Sequence, residues 1–209
     1  MPFQPFTSRD FGIFDLPGFA ERMAAIRSRI RPKLEDLGAE LALEVAQVTG
    51  TEVFAHVARH ARRTVNPPDD TWVALGPDRR GYKKLQHFKV AVSRGGIRFL
   101  FEIGPEHAAK TAWARAFARE GPRLRQELAR AGHLHWFVNE HDDEPEAALA
   151  DLDAAGWRRV AEGLTRAQDG QLVLGRGVGS RDAVGWQAAD YRAAAERTFG
   201  ALGGCFRLR

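Results

Sequence analysis

Between Phe88 and Ile103 the chain alternates apolar and polar residues on both sides of a glycine turn. Phe88, Val90 and Val92 alternate with Lys89, Ala91 and Ser93. After Arg94-Gly95-Gly96, Ile97, Phe99, Phe101 and Ile103 alternate with Arg98, Leu100 and Glu102. A period of two is the signature of an extended strand with one apolar face, and a short glycine-bearing link between two such arms makes an antiparallel hairpin. The register has little freedom, because a slip of one residue would exchange the apolar set for Lys89 and Arg98. The pattern predicts that Phe88, Val90, Val92, Ile97, Phe99 and Phe101 are buried. His87, Lys89 and Arg98 then form an opposite, basic face.

The other elements read as a mixture of helices and strands. Phe19, Met23, Ile26, Ile30 and Leu34 recur at helical spacing. Asp15, ahead of Pro17, reads as the N-cap of this helix, and Pro32 predicts a kink or break near Arg31. Gly38 separates a second run through Leu41 and Val45. Thr51 reads as the N-cap of a short helix carrying Val53, Phe54 and Val57, stopped by Asn66-Pro67-Pro68. Trp72–Leu75 is a strand. His107–Arg130 is helical with a break at Gly121-Pro122, and Leu134, Trp136 and Val138 suggest another strand. Asn139–Pro145 is an acidic loop, Ala147–Arg166 a helix, Gln171–Leu174 a strand and Gly175–Gly179 a turn. Gln187–Leu202 closes the chain as a helix with Tyr191, Ala195 and Phe199 inward. The expected fold is α+β: a single compact domain over residues 1–209, with a mixed, mostly antiparallel sheet built on the 88–103 hairpin and flanked by helices.

Composition removes several classes. Hydrophobic residues make up 44% and charged residues 28% of the 209, which are globular values. No segment approaches the ~20 apolar residues of a membrane span, and the N-terminal MPFQPFTSRDF is unlike a secretory signal. One cysteine, Cys205, excludes an internal disulfide framework. These features point to a cytoplasmic protein without a membrane partner.

The charge is uneven. The whole chain carries a formal +4, whereas Arg59–Arg98 holds ten lysines and arginines against three aspartates. Such a concentration draws phosphate-bearing partners. On the expected helix, His56, His60 and Arg63 fall at i, i+4 and i+7 and share a face, with Arg59 beside them. Asn66 and the double proline then turn the chain toward Asp69, Asp70 and the run Arg79-Arg80-Gly81-Tyr82-Lys83-Lys84, which leads to His87. Tyr82 between cations suits stacking on a ring while its neighbours meet phosphates. The expected ligand-binding set is Arg59, Arg63, Asn66, Arg80, Tyr82, Lys83 and Lys84.

The segments HVARHARR, VNPPDDTWVA and RGYKKLQHF, and more weakly RPKLEDLG, resemble the YktB-like family of uncharacterised bacterial proteins. The likeness covers the first half of the chain best. It implies a compact α+β fold and carries no reaction, substrate or catalytic residue.

Three functional readings stay open. The first is a binding module for a phosphate-bearing small molecule or nucleic acid. The second is an enzyme acting on an anionic small molecule, with His56, His60 or His87 as general acid or base and Asp70 as orienting carboxylate. The third is a structural clasp through Arg62, Asn66, Asp69 and Trp72. No cofactor is expected. A metal is not expected at His56/His60, because Val57 stands where a zinc protease has its glutamate and the surroundings are basic. His133 and His135 beside the acidic loop are a better-charged alternative for a metal. The oligomeric state is left open.

Overall fold

The computed structural model describes residues 2–208. Seven strands form one antiparallel sheet in the order β1-β2-β3-β4-β7-β5-β6. They are β1 Phe54–Val57, β2 Asp70–Gly76, β3 His87–Ser93, β4 Gly96–Ile103, β5 His135–Phe137, β6 Ala147–Ala148 and β7 Leu172–Gly179. The helices are α1 Ser8–Phe11, α2 Phe19–Ala25, α3 Arg31–Thr49, α4 Lys110–Ala131, α5 Ala154–Thr165, α6 Ser180–Ala183 and α7 Ala188–Phe206. None is long and apolar enough to cross a membrane among the described residues.

The hairpin lies at the centre of the sheet in the expected register, with Phe88 opposite Phe101, Val90 opposite Phe99 and Val92 opposite Ile97. All six apolar side chains are fully buried, and they join the core residues of α3 (Leu34, Leu37, Leu41) and α7 (Tyr191, Ala195, Phe199). The opposite face departs from expectation. Lys89 and Arg98 are as buried as the phenylalanines, as are His87 and Glu102. The hairpin is central, and the loop Asn139–Pro145 folds over its polar face. This face is a buried network of charges.

Several helical expectations give way to tertiary context. The segment after Thr51 is strand β1, pairing His56 with Ala74 and Val57 with Val73. Three half-buried residues and the exposed Ala55, beside a ready β2 edge, gain more from the ladder than from one helical turn. The face shared by His56, His60 and Arg63 therefore does not exist. Near Pro32 the chain passes from α2 through a π-helical stretch, Ile26–Ile30, into α3 without a break, and the proline sits in the first turn of α3. A π turn absorbs the missing donor. The N-cap of α2 is Gly18, not Asp15, which pairs with Arg94 at 2.7 Å. Gly38 does not separate two helices either. A Cβ there would come within 2.7 Å of Val73 Cγ2 and 3.2 Å of the Ala55 Cβ, so the glycine lets α3 lie against the sheet.

In α4, Pro122 is accommodated inside an unbroken helix; the carbonyl deprived of its donor belongs to Ala118, which is exposed to water. Residues 147–153 form β6 and a short 3₁₀ turn ahead of α5, whose N-cap Asp153 accepts from the Gly156 amide at 2.7 Å. The Gly175–Gly179 run is not a turn but the second half of β7. Its glycine spacing reflects close approach, because a Cβ on Gly175 would come 2.1 Å from the Phe99 carbonyl oxygen of β4.

Candidate functional site

Alternation along β2, β3 and β4 sends Asp70, Trp72, His87, Lys89, Arg98 and Glu102 to the same side of the sheet. Lys89 is fully buried. Its Nζ lies 4.4 Å over the Trp72 ring and 3.0 Å from Glu102 Oε1, and it donates to Glu140 of the acidic loop. Burial by itself would favour loss of its proton, but Glu102 and Glu140 hold its pKa above the ordinary lysine value. Burial likewise opposes the charge of Glu102, and Lys89 and His87 overcome it, drawing the carboxyl well below the usual range. His87 presents Nδ1 to the Leu85 carbonyl at 3.0 Å and Nε2 to Glu102 Oε2 at 3.1 Å. Both partners are acceptors, so both hydrogen bonds form when the two ring nitrogens carry protons.

Toward the far end of the same face, Arg98 Nη2 donates to Asp70 Oδ2 at 2.8 Å. Ser93 donates to Asp143 at 2.5 Å, which fixes the acidic loop to the end of β3. His141 of that loop places Nδ1 3.0 Å from Asp70 Oδ1, and its ring centre is 5.8 Å from that of Trp72. The Asp70 hydrogen bond raises the His141 pKa against the opposing effect of burial. Burial disfavours the Asp70 carboxylate, but His141, Lys89 and Arg98 reverse the balance and lower its pKa. His60, in the left-handed region at φ 48°, sets Nε2 3.1 Å from Thr71 Oγ1. Burial pushes His60 down to about 4.

Beyond Tyr82 lies a second feature, an open groove of about 940 Å³. His56 and Tyr82 form part of its wall, their ring centres 5.8 Å apart, with the His56 Nε2–H donating to the Asp78 carbonyl at 2.9 Å. Six cations line it: Arg31, Arg59, Arg79, Arg80, Lys83 and Lys84, against Glu35, Asp78 and Glu106. Arg31 pairs with Glu35 at 2.8 Å and Lys83 with Glu106 at 3.2 Å. Among the described residues, the side chains of Arg59, Arg79, Arg80 and Lys84 have no acidic partner.

The residues singled out from sequence thus divide into two sets. His56, Arg59, Arg80, Tyr82, Lys83 and Lys84 meet at the groove. His60, Asp70 and His87 belong to the buried network, joined to Tyr82 through Trp72, whose Nε1–H donates to the Tyr82 hydroxyl at 2.8 Å. Arg63 and Asn66 lie exposed on the loop between β1 and β2 and line neither feature. The expected clasp residues do not converge: Asp69 pairs with Arg22 at 3.1 Å, while Trp72 serves Tyr82. His133 hydrogen-bonds the Ala131 carbonyl, whereas His135 borders a small pocket with Asp143 and Glu144 of the acidic loop, whose Glu140 and His141 turn toward β2 and β3. Cys205 is buried in α7, and burial pushes its thiol up to about 12, so it supplies no nucleophile.

Sequence reading missed Glu102, Glu140, His141 and Asp143. One signal pointed to them. The most basic stretch of the chain and its most acidic loop are complementary in charge, and the alternation of β4 puts Glu102 in line with Arg98.

A family described as a domain of unknown function, DUF1054, matches residues 6–206. The chain belongs to the DUF1054 family. A UPF0637 protein of Lysinibacillus sphaericus (strain C3-41) is 34% identical over 205 residues, 97% of this chain and 94% of the relative. A UPF0637 protein of Bacillus mycoides (strain KBAB4) is 35% identical over 175 residues, 84% and 83% of the two chains. One from Shouchella clausii (strain KSM-K16) reaches 53% over 92 residues, 44% of each. The resemblance to YktB-like proteins is therefore that of a DUF1054 member to bacterial relatives along nearly its whole length.

Proposed function

We propose that this DUF1054 protein binds a phosphate-bearing ligand in the groove beside Tyr82. The observation that carries the reading is the set of four cations, Arg59, Arg79, Arg80 and Lys84, which share one groove and have no acidic partner among the described residues. Cations that serve stability are ordinarily paired or dispersed. Gathered unpaired around a concavity, they create a positive potential that an anion relieves. The volume falls within the range of small-ligand sites, and the His56 and Tyr82 rings offer a surface for a ring system attached to the phosphate. A nucleotide or another phosphorylated small molecule fits these features better than a duplex, whose recognition asks for a broad convex or grooved basic face.

The test is binding of pyrophosphate and adenosine nucleotides to the parent and to an Arg80→Ala/Lys84→Ala variant at low salt. Loss of two charge-assisted contacts is expected to weaken binding by roughly 100-fold, and 0.5 M salt should weaken parent binding as well. Equal affinity in parent and variant, or no binding by the parent, would falsify the assignment.

A second reading, acid–base catalysis on an anionic small molecule, is favoured by the Asp70–His141 pair. A buried carboxylate orients Nδ1, while Nε2 makes no hydrogen bond among the described residues and stands 4.0 Å from Glu140. That is the arrangement in which an imidazole exchanges protons with a bound molecule. Turnover of a groove ligand that disappears in His141→Gln, with binding retained, would establish it.

A further inference from the structure

Behind Tyr82, on the side away from the groove, the structure contains a compartment of about 190 Å³. Trp72, Tyr82, Glu102, Glu140 and His141 line it, and Gly104 forms part of its rim. Tyr82, Lys83 and Glu106 border both this compartment and the basic groove, so the two spaces adjoin along these three residues. The space would hold about six waters or one ring-sized group.

One atom distinguishes the compartment from a packing gap. Glu102 is almost wholly buried, and its Oε1 accepts no hydrogen bond. Lys89 Nζ approaches this oxygen at 3.0 Å, a contact between charges rather than an aligned hydrogen bond. Lys89 therefore balances the charge of this oxygen but leaves its hydrogen-bonding capacity unfilled, and buried atoms in that state are rare unless a ligand or water completes them. Glu140 is a second acceptor on the wall. Its Oε1 is 4.0 Å from His141 Nε2, outside hydrogen-bonding distance. Acceptor oxygens sharing a compartment with the Trp72 and Tyr82 rings match a group that is apolar on its faces and donates hydrogen bonds from its edge. The Lys89 ammonium already occupies one face of Trp72, which disfavours a second cation there and leaves neutral hydroxyls as the matching donors.

We infer that this compartment seats the hydroxyl-bearing pentose of a phosphorylated ligand, with Glu102 accepting from a hydroxyl and the phosphate held at the junction by Lys83. The inference rests on the groove reading above and narrows it, from any phosphate-bearing molecule to sugar phosphates and nucleotides. A pentose phosphate is short enough to place its ring behind Tyr82 while its phosphate faces the cations of the groove.

Gly104 provides the test. Gly104 borders the compartment and a Cβ there meets nothing within 4 Å, so Gly104→Leu adds bulk at its rim while replacing no member of the charge network and no groove cation. Gly104→Ala is the milder filling if the leucine variant does not fold. The probes are inorganic phosphate, ribose 5-phosphate and adenosine 5′-monophosphate, titrated calorimetrically against parent and variants. The parent should prefer ribose 5-phosphate to inorganic phosphate by about ten-fold, the worth of one well-made hydrogen bond. Gly104→Leu should abolish that preference and leave inorganic phosphate within about two-fold of the parent. A nucleotide source is indicated if the monophosphate of adenosine binds more tightly still, and a free sugar phosphate if it binds more weakly. If inorganic phosphate binds and ribose 5-phosphate binds no better, or if the preference survives in Gly104→Leu, the compartment holds only water and the inference fails while the groove stands. If none of the three binds the parent, the groove reading itself is lost and the narrower proposal with it.

Discussion

At the scale of single residues, two histidines near Trp72 are driven in opposite directions by their surroundings. His60 is pushed down to about 4 from an ordinary value of 6.5 because burial penalises its charged form. The unfolded chain takes up this proton first, so the contribution of His60 erodes stability as pH falls from 6.5 toward 4 and is constant below that. His141 is shifted upward by Asp70. Its native state holds the proton more tightly, so its stabilisation is complete below 6.5 and is lost as pH rises through the folded value. The two windows lie on either side of pH 6.5, His60 acting below it and His141 above it. Urea midpoints measured from pH 5 to pH 9 should separate them: His60→Gln flattens the acid-side decline, whereas His141→Gln costs more stability at pH 6 than at pH 9. The reverse ordering would contradict the assigned surroundings.

At the scale of elements, the glycines of the helices divide by what stands opposite them. Gly38 of α3 faces Val73 and Ala55, and a methyl group there would overlap Val73 Cγ2. Replacing glycine by alanine inside a helix ordinarily gains up to ~1 kcal/mol. At this position overpacking should cost roughly 1–3 kcal/mol and reverse the sign. Gly200 of α7 is exposed and a Cβ there meets nothing within 4 Å, so Gly200→Ala should stabilise by about 0.5–1 kcal/mol. Thermal denaturation of the two variants is the measurement. A stabilised Gly38→Ala protein would mean that α3 stands further from β1 and β2 than described. Strand β1 reads as helix from sequence because its four residues have no distinguishing local pattern, and only the β2 edge makes them a strand.

Across the whole molecule, the sheet is covered on both faces by different chemistry. The helices α3 and α7 close the apolar face, whereas the loop Asn139–Pro145 closes the polar one through Glu140, His141 and Asp143. That loop comes from the second half of the chain and the strands it covers from the first, so the ionic network joins distant parts of the sequence. Lys89 is its centre. Lys89→Met would leave Glu102 and Glu140 without their cation and should destabilise by about 3–5 kcal/mol, a loss visible in a chemical denaturation curve. Lys84→Ala, at the exposed groove, should change stability by less than about 0.5 kcal/mol. Similar effects for the two lysines would show that the buried network is hydrated in solution.

The sequence by itself determined the hairpin, its register and the apolar half of the core, because a period of two leaves one way to bury Phe88, Val90, Ile97, Phe99 and Phe101. It also determined that Tyr82 stands among the cations Arg79, Arg80, Lys83 and Lys84, since these are neighbours along the chain. Only the tertiary structure decided the rest. Local pattern marks Lys89 and Arg98 as surface residues, and what buries them is a loop some forty to fifty residues away whose carboxylates and a backbone carbonyl meet their charge. A charge is buried when its partner arrives with it, and the arrival of a partner so distant in sequence is a property of the fold rather than of any window of the chain.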